Sequence, residues 1–533
     1  MRSSPTALEE SGLLRGVLRR PWVWDALTGA VTLLCTAYII HVYFPGRGNL
    51  DVASQLRQAL GLEQYSDWHP PLVAFVWEIL IDLTGSVGSL FVVQAVLFFF
   101  SGWLLAVWIH RHTGRRSLSL LGLLVPVLPW SISQISTMWK DTQMAVALLL
   151  AVLLLFFIRR GRRLDLLLLL PSGMLLLFAI GARKNAVFAV VPIAFYIAWV
   201  LLGSLRRRTA ARAGADGAGG PRRSPRRVVR KAIALAGTGF AVLAVLGVGT
   251  IGVDRGLAAA RDVKPTGQIS QIMLDDVMFS VPDAELWAAD APHELKERIS
   301  SSRSVCIEKD KLWDAYWSCY GRGVGGEGFA PIEHQDEVRS LWVELVAPHP
   351  GRYLEYRMAV FSHYFFTSRF EYWHADWDPA ADELGLNEYS RNGEYLIRPY
   401  VEDFARGIFP MVFKPWFWFA TGAVVLVAVR RVAAFRPQIA VLAASGLTYI
   451  LGYIPIAPAN HFRYTYWPAL AITCAVLLLI CGLVLGRSRS RDGDARAQQE
   501  PESEASRFEG GDQRAPASPS RAVRPQTSKR NST

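Results

Sequence analysis

What most limits this chain is a repeated pattern of apolar runs about 20 residues long, split by short arginine-rich breaks. At about 1.5 Å per helical residue, such a run crosses a hydrocarbon core of roughly 30 Å. In lipid a backbone has no water to bond, so runs of this length fold as helices. The runs lie at Trp24–Phe44, Leu90–Ile109, Leu118–Ile135, Thr142–Ile158, Leu164–Ile180 and Ala186–Leu202, then Ala232–Val253, Met411–Val429, Ile439–Ile456 and Trp467–Leu485. The fold class this predicts is an all-α polytopic membrane protein of about ten transmembrane helices. Composition agrees: 51% of the 533 residues are hydrophobic and 19% charged. A soluble domain carries about 25% charged residues, so an ordinary cytosolic enzyme is excluded. The run from Trp24 is too long for a signal peptide and no small-residue cleavage pattern follows it, so it reads as the first span.

Charge sets the expected sidedness. The net charge is +12, which in a soluble protein would suggest nucleic acid. Here the arginines sit in the breaks, where the preference of cytoplasmic loops for Lys and Arg accounts for them, and no nucleic-acid partner is expected. The breaks around Arg111–Arg116, Arg159–Arg163, Arg206–Lys231, Arg430–Arg436 and the tail from Arg487 all fall on the cytoplasmic side if residues 1–23 do. That requires Pro71–Leu83, which is short and carries Glu78 and Asp82, to lie at the membrane surface as a juxtamembrane helix. The expected domains are a membrane core over 24–203 with an external loop over 45–71, a disordered cytoplasmic linker over 204–231 and a span over 232–253. A mostly helical external domain over 254–410, spans over 411–486 and a disordered cytoplasmic tail over 487–533 complete them. Of the five cysteines, Cys35, Cys474 and Cys481 lie in apolar runs. Cys306 and Cys319 lie in the large polar region, where an oxidising compartment lets them close a loop, the alternative being two free thiols.

The residues able to do chemistry collect at the expected external turns. Asp51, Asp67 and His69 lie in the first loop, Lys140 and Asp141 before the fourth span, and Arg183 and Lys184 before the sixth. His461, Arg463 and Tyr464 precede the last. A carboxylate beside lipid is expected to have its pKa raised and to accept a proton from a hydroxyl; helix capping is the plainer reading of Asp51 and Asp141. Cations outside run against the charge rule, so an anion such as phosphate is a natural partner, with snorkelling to headgroups the alternative. No Walker loop, dinucleotide fingerprint, HExxH or GxSxG pattern occurs. His363, His374, Asp376 and Asp378 form a polar cluster without metal spacing; no metal ligand set is identified, and a divalent cofactor is left open.

Asp51 soon after the first span, His69-Pro70-Pro71-Leu72 opening a short apolar helix, Lys140-Asp141, Arg183 and Arg463-Tyr464 resemble the bacterial GT-C superfamily. So do Leu274-Asp275-Asp276 and Pro350-Gly351-Arg352-Tyr353-Leu354. These membrane glycosyltransferases use polyprenyl-phosphate sugars and include protein O-mannosyltransferases and the lipid A aminoarabinose transferase. The resemblance implies a GT-C-like bundle and an extracytoplasmic active site in a multi-pass cell-membrane protein. It implies inverting transfer, with Asp51 as base, Asp141 as second acid, and Asp67, His69 and Lys140 lining the cavity. Arg183, Lys184, His461, Arg463 and Tyr464 would hold the lipid phosphate. Mannose is the first choice of sugar. The acceptor is a glycan, lipid or secreted small molecule: the protein O-mannosyltransferase pattern has Asp-Glu where Asp51 is followed by Val52. An O-antigen-type polymerase or ligase and a lipid-linked sugar transporter or flippase are the competing readings.

Overall fold

The computed structural model describes residues 20–159, 161–212, 225–313, 315–322, 331–366, 379–388, 391–457 and 459–508. Among them the chain is helical, and its extended pairing amounts to two isolated bridges, Arg47 with Thr137 and Ser66 with Lys264. This is an all-α membrane protein. Six helices among the described residues are long and apolar enough to cross a bilayer: Pro21–Tyr43, Ser89–Thr113, Leu164–Ala182, Ala186–Leu205, Val229–Arg261 and Phe462–Arg487.

In chain order the helices used below are α1 (Pro21–Tyr43), α2 (Leu50–Ala59), α3 (Pro71–Thr84), α4 (Ser89–Thr113), α5 (Arg116–Leu124), α6 (Lys140–Phe156), α7 (Leu169–Ala182), α8 (Ala186–Arg212) and α9 (Pro225–Arg261). Then come α10 (Ile269–Ser280), α11 (His293–Glu308), α12 (Pro350–Phe366), α13 (Arg391–Pro399), α14 (Pro415–Ala428), α15 (Arg436–Leu451) and α16 (Tyr466–Phe508). Local chemistry marks their ends. Proline opens α1, α3 and α14, where its missing N–H costs nothing, and Gly85 closes α3 in the left-handed conformation at φ 69°. A Cβ at Gly122 would overlap the backbone of Ala106, so α5 and α4 approach as closely as two backbones can.

Two expectations are corrected. The run Leu118–Ile135 is not one continuous helix. It breaks into α5, a 3-10 turn at Val125–Val127 and a short helix at Pro129–Ile132, because Pro126 and Pro129 withdraw N–H donors and crowd the preceding turn. The linker and the tail, expected without structure, are helical in their described residues, up to Arg212, from Pro225 and to Phe508, in stretches rich in the good helix formers Ala, Arg, Gln and Glu; 213–224 and 509–533 lie outside the described residues.

The chain divides into Met1–Gly482 and Leu483–Thr533, and everything that follows concerns the first unit. At its centre is α6, apolar on all sides and buried over almost its whole length. The polar region has its own core, including Leu274, Val277, Leu295, Ile299, Val338 and Leu341, closed by a Cys306–Cys319 disulfide. Its acidic pair is structural. Asp276 meets Arg357 at 2.6 Å, with Trp342 donating to it at 2.8 Å, and Asp275 accepts from the Tyr320 hydroxyl at 2.9 Å.

Candidate functional site

Four distant stretches of chain are fastened at one place. The backbone of Arg47 exchanges two hydrogen bonds with the stretch before α6, at 2.9 and 3.0 Å. Asn49 caps α2 by accepting from Val52 N–H at 3.3 Å, and the same side-chain oxygen accepts from Trp139 at 3.1 Å. These contacts put the first turn of α2, which carries Asp51, beside the first turn of α6, which carries Lys140 and Asp141. The turn between α7 and α8 adds Arg183, whose Nε donates to Asp141 Oδ1 at 2.6 Å. The 3-10 turn before α16 adds Arg463, whose Nη1 donates to Asp51 Oδ2 at 2.9 Å.

Both guanidinium groups lie 5.1 Å from the centre of the Tyr464 ring, and Arg463 also lies 4.9 Å from Trp139. Such faces stabilise cations that have left bulk water. Lys140 Nζ lies 2.9 Å from His69 Nδ1; with the ammonium donating, the ring proton sits on Nε2. Arg463 Nε and Asp141 Oδ2 are buried with no hydrogen-bond partner. Buried polar groups are ordinarily satisfied, so an unspent arginine donor beside a cavity awaits an acceptor.

The cavity so formed is lined by seven residues singled out from sequence: Asp51, His69, Lys140, Arg183, His461, Arg463 and Tyr464. Trp68, Gln268, Gln271 and Ala459 complete the lining and were not foreseen. The glutamines come from the polar region, and no local motif signals that α10 starts at the cavity. Asp141 sits behind Arg183, its side chain 1% exposed. Two further candidates lie elsewhere. Lys184 pairs with Asp254 at 2.5 Å, and Asp67 accepts from the Thr266 backbone N–H at 2.6 Å and from the Thr266 hydroxyl. Neither is among the lining residues. His363 packs near Trp313; His374, Asp376 and Asp378 lie outside the described residues. Among those described, no group of three His, Cys, Asp or Glu could hold a metal ion.

Electrostatics correct one expectation. Burial does push the Asp51 carboxyl up, but Arg463, His69 and Lys140 together outweigh it and hold Asp51 well below the ordinary carboxylate range. Burial and the neighbouring Lys140 push His69 down to about 3, and burial and Arg463 push His461 down to about 3. Both imidazoles are therefore neutral at physiological pH. Burial and the neighbouring Arg183 push Lys140 down to about 7, so two guanidinium groups balance the two carboxylates and Lys140 is poised to add a third positive charge when an anion enters.

The cavity holds about 90 Å³, less than the roughly 300–1,000 Å³ usual for small-molecule pockets. A larger crevice of about 530 Å³ lies along α1 and α13 and is lined by apolar and tyrosine side chains such as Leu34, Tyr38, Phe99 and Leu396. Its lining has no ionisable group other than tyrosine and cysteine, so the ionisable candidates gather at the smaller, charged cavity. No protein-family model, curated protein or solved structure matches this chain.

Proposed function

We propose that this protein is a membrane glycosyltransferase of GT-C type. It moves a sugar, mannose as first choice, from a polyprenyl-phosphate donor to a hydroxyl acceptor. The observation that carries the reading is the cavity itself: two arginines, one with an unspent donor, Lys140 and the Asp51 carboxylate, with Asp141 behind Arg183, gathered from four distant turns of the chain. The distribution of arginine breaks supports about ten spans and an extracytoplasmic site in the cell membrane. The apolar crevice beside α1 suits a prenyl chain.

In this reading the lipid phosphate enters the charged cavity and takes bonds from Arg463, Arg183 and Lys140. Arg463 leaves Asp51 as it does so, and the freed carboxylate regains its basicity. The acceptor oxygen attacks the anomeric carbon as Asp51 takes its proton. The carbon–oxygen bond to phosphate breaks, and its electron pair goes to the phosphate, where the cations stabilise the charge. Sugar leaves on the acceptor with inverted configuration, and polyprenyl phosphate is the second product. No nucleotide is required, because the donor bond is already activated.

An O-antigen-type polymerase or ligase would place its chemistry at Arg352 and His363. Arg352 is instead engaged by both oxygens of Glu285 at 2.9 Å, and neither residue lines the cavity. The test incubates the purified full chain with a panel of polyprenyl-phospho-sugars and hydroxyl acceptors and follows products by mass spectrometry. Sugar transfer upholds the reading. Lipid translocation in proteoliposomes without any glycosyl product would assign the protein to the transporters.

A further inference from the structure

The charged half of the cavity accounts for a phosphate and a proton acceptor and leaves three lining residues unused: Trp68, Gln268 and Gln271. None carries a charge. Neither glutamine amide makes a side-chain hydrogen bond to the described residues, and with Gln268 exposed and Gln271 half-buried both are open to a ligand. Trp68 is half-buried, and its ring centre lies 6.0 Å from that of Tyr316, which in turn packs at 5.6 Å on Tyr320, next to the disulfide at Cys319.

The wall that bears these residues is built from two segments far apart in the chain, and it is fastened. Lys264 N–H donates to Tyr65 C=O at 2.8 Å and Asp67 N–H to Lys264 C=O at 3.1 Å. The Asp67 carboxylate closes the join on Thr266. Just beyond it α10 begins, with Gln268 at its N-cap and Gln271 in its first turn. This join explains why Asp67, an external-loop carboxylate, faces Thr266 in place of the cavity.

We propose that Trp68, Gln268 and Gln271 form a subsite for an uncharged saccharide ring, held in place by the Asp67–Thr266 clamp; this rests on the glycosyl-transfer reading above. An amide offers a donor and an acceptor side by side, which matches the vicinal hydroxyls of a sugar. An indole face supplies the apolar surface on which the C–H face of a ring packs. Trp68, Gln268 and Gln271 contribute no counter-charge for an acidic or amino sugar, the Asp67 carboxylate of the same wall is engaged by Thr266, and the cations beyond are committed to phosphate. The saccharide is either the donor's sugar or a sugar of the acceptor, and the two are separable by experiment.

The test measures binding of four probes to the full chain in detergent by native mass spectrometry. They are farnesyl phosphate, farnesyl-phospho-mannose, a farnesyl-phospho-amino sugar, and methyl mannoside. Wild type is expected to bind the mannosyl lipid about tenfold more tightly than the sugar-free or amino-sugar lipid, the worth of one stacking contact and a hydrogen bond. Trp68→Ala and Gln271→Ala should erase that preference and leave farnesyl phosphate affinity unchanged, while Trp68→Phe should keep most of it. Loss confined to methyl mannoside would place the acceptor's sugar in the subsite. The proposal is overturned if wild type neither prefers the mannosyl lipid to farnesyl phosphate nor binds methyl mannoside, or if the variants weaken every probe equally or none. Preference for saccharide lost in the variants, with no transfer product in any assay, would uphold the subsite and remove the transferase reading. Product formation with the preference intact in Trp68→Ala would do the reverse.

Discussion

Arg463 and Asp51, 412 positions apart in the chain, meet across 2.9 Å, with side chains only 14% and 18% exposed. Each neutralises the other in a cavity where an isolated charge would be costly. Removing one partner of a buried pair costs about 3–5 kcal/mol, because the remaining charge is left uncompensated. Arg463→Ala and Asp51→Ala should therefore each lower thermal stability markedly in detergent. The double variant should lose less than the two single losses summed, and strict additivity in that cycle would show that the pair is not coupled.

Asp51→Asn keeps the shape of the side chain and removes its basicity. Sugar transfer should fall by roughly 10²–10⁴-fold, the usual worth of a positioned general base, while binding of polyprenyl phosphate is retained or strengthened as Arg463 is released. Single-turnover rates and donor binding measured on the same preparation check both halves. Unchanged transfer would remove Asp51 from the chemistry.

The two buried imidazoles predict an acid-sensitive fold. A histidine whose folded pKa is about 3 binds its proton more readily when unfolded, where the pKa is about 6.5. Its contribution is fully present above about pH 6.5 and is lost progressively as pH falls toward 3. Asp51, also depressed, adds a loss only below about pH 4, through the ordinary carboxylate range. Melting temperature should thus decline between pH 7 and pH 4, and His69→Gln with His461→Gln should flatten that decline. An identical slope in the double variant would place the acid sensitivity elsewhere.

The polar region depends on its crosslink. Cys306 and Cys319, 13 positions apart with Cα atoms at 5.7 Å, enclose a short loop whose closure stabilises by roughly 3 kcal/mol. Cys306→Ser with Cys319→Ser should loosen this region, read as faster hydrogen exchange in α10 and α11, with exchange in α6 unaffected. Exchange unchanged in α10 and α11 would show that the core around Leu274 and Ile299 suffices alone.

Much of this architecture was legible in the sequence because lipid imposes a simple rule. Apolar length gave α1, α4, α7, α8, α9 and α16, and the charged turns gave seven of the cavity's lining residues. What stayed hidden depended on particular contacts. Two prolines outweighed hydropathy in Leu118–Ile135. Asp67 and Lys184 look equivalent to Asp51 and Arg183 by composition, yet Thr266 and Asp254 hold them elsewhere. Gln268 and Gln271 carry no pattern at all, and only the join between Asp67 and Thr266 brings them to the cavity. The direction of the Asp51 shift was missed for the same reason: proximity to lipid was visible, whereas Arg463 is a partner that only the fold supplies.

In this reading Arg183 and Arg463 receive a lipid-linked phosphate. Equilibrium binding of polyprenyl phosphate to wild type, Arg183→Lys and Arg463→Lys tests it most directly, since lysine keeps the charge and loses the forked donor geometry. Wild type should bind saturably and each variant at least about tenfold more weakly, a cost of about 1.4 kcal/mol. Equal affinity across all three proteins, or no saturable binding to any, would contradict the reading.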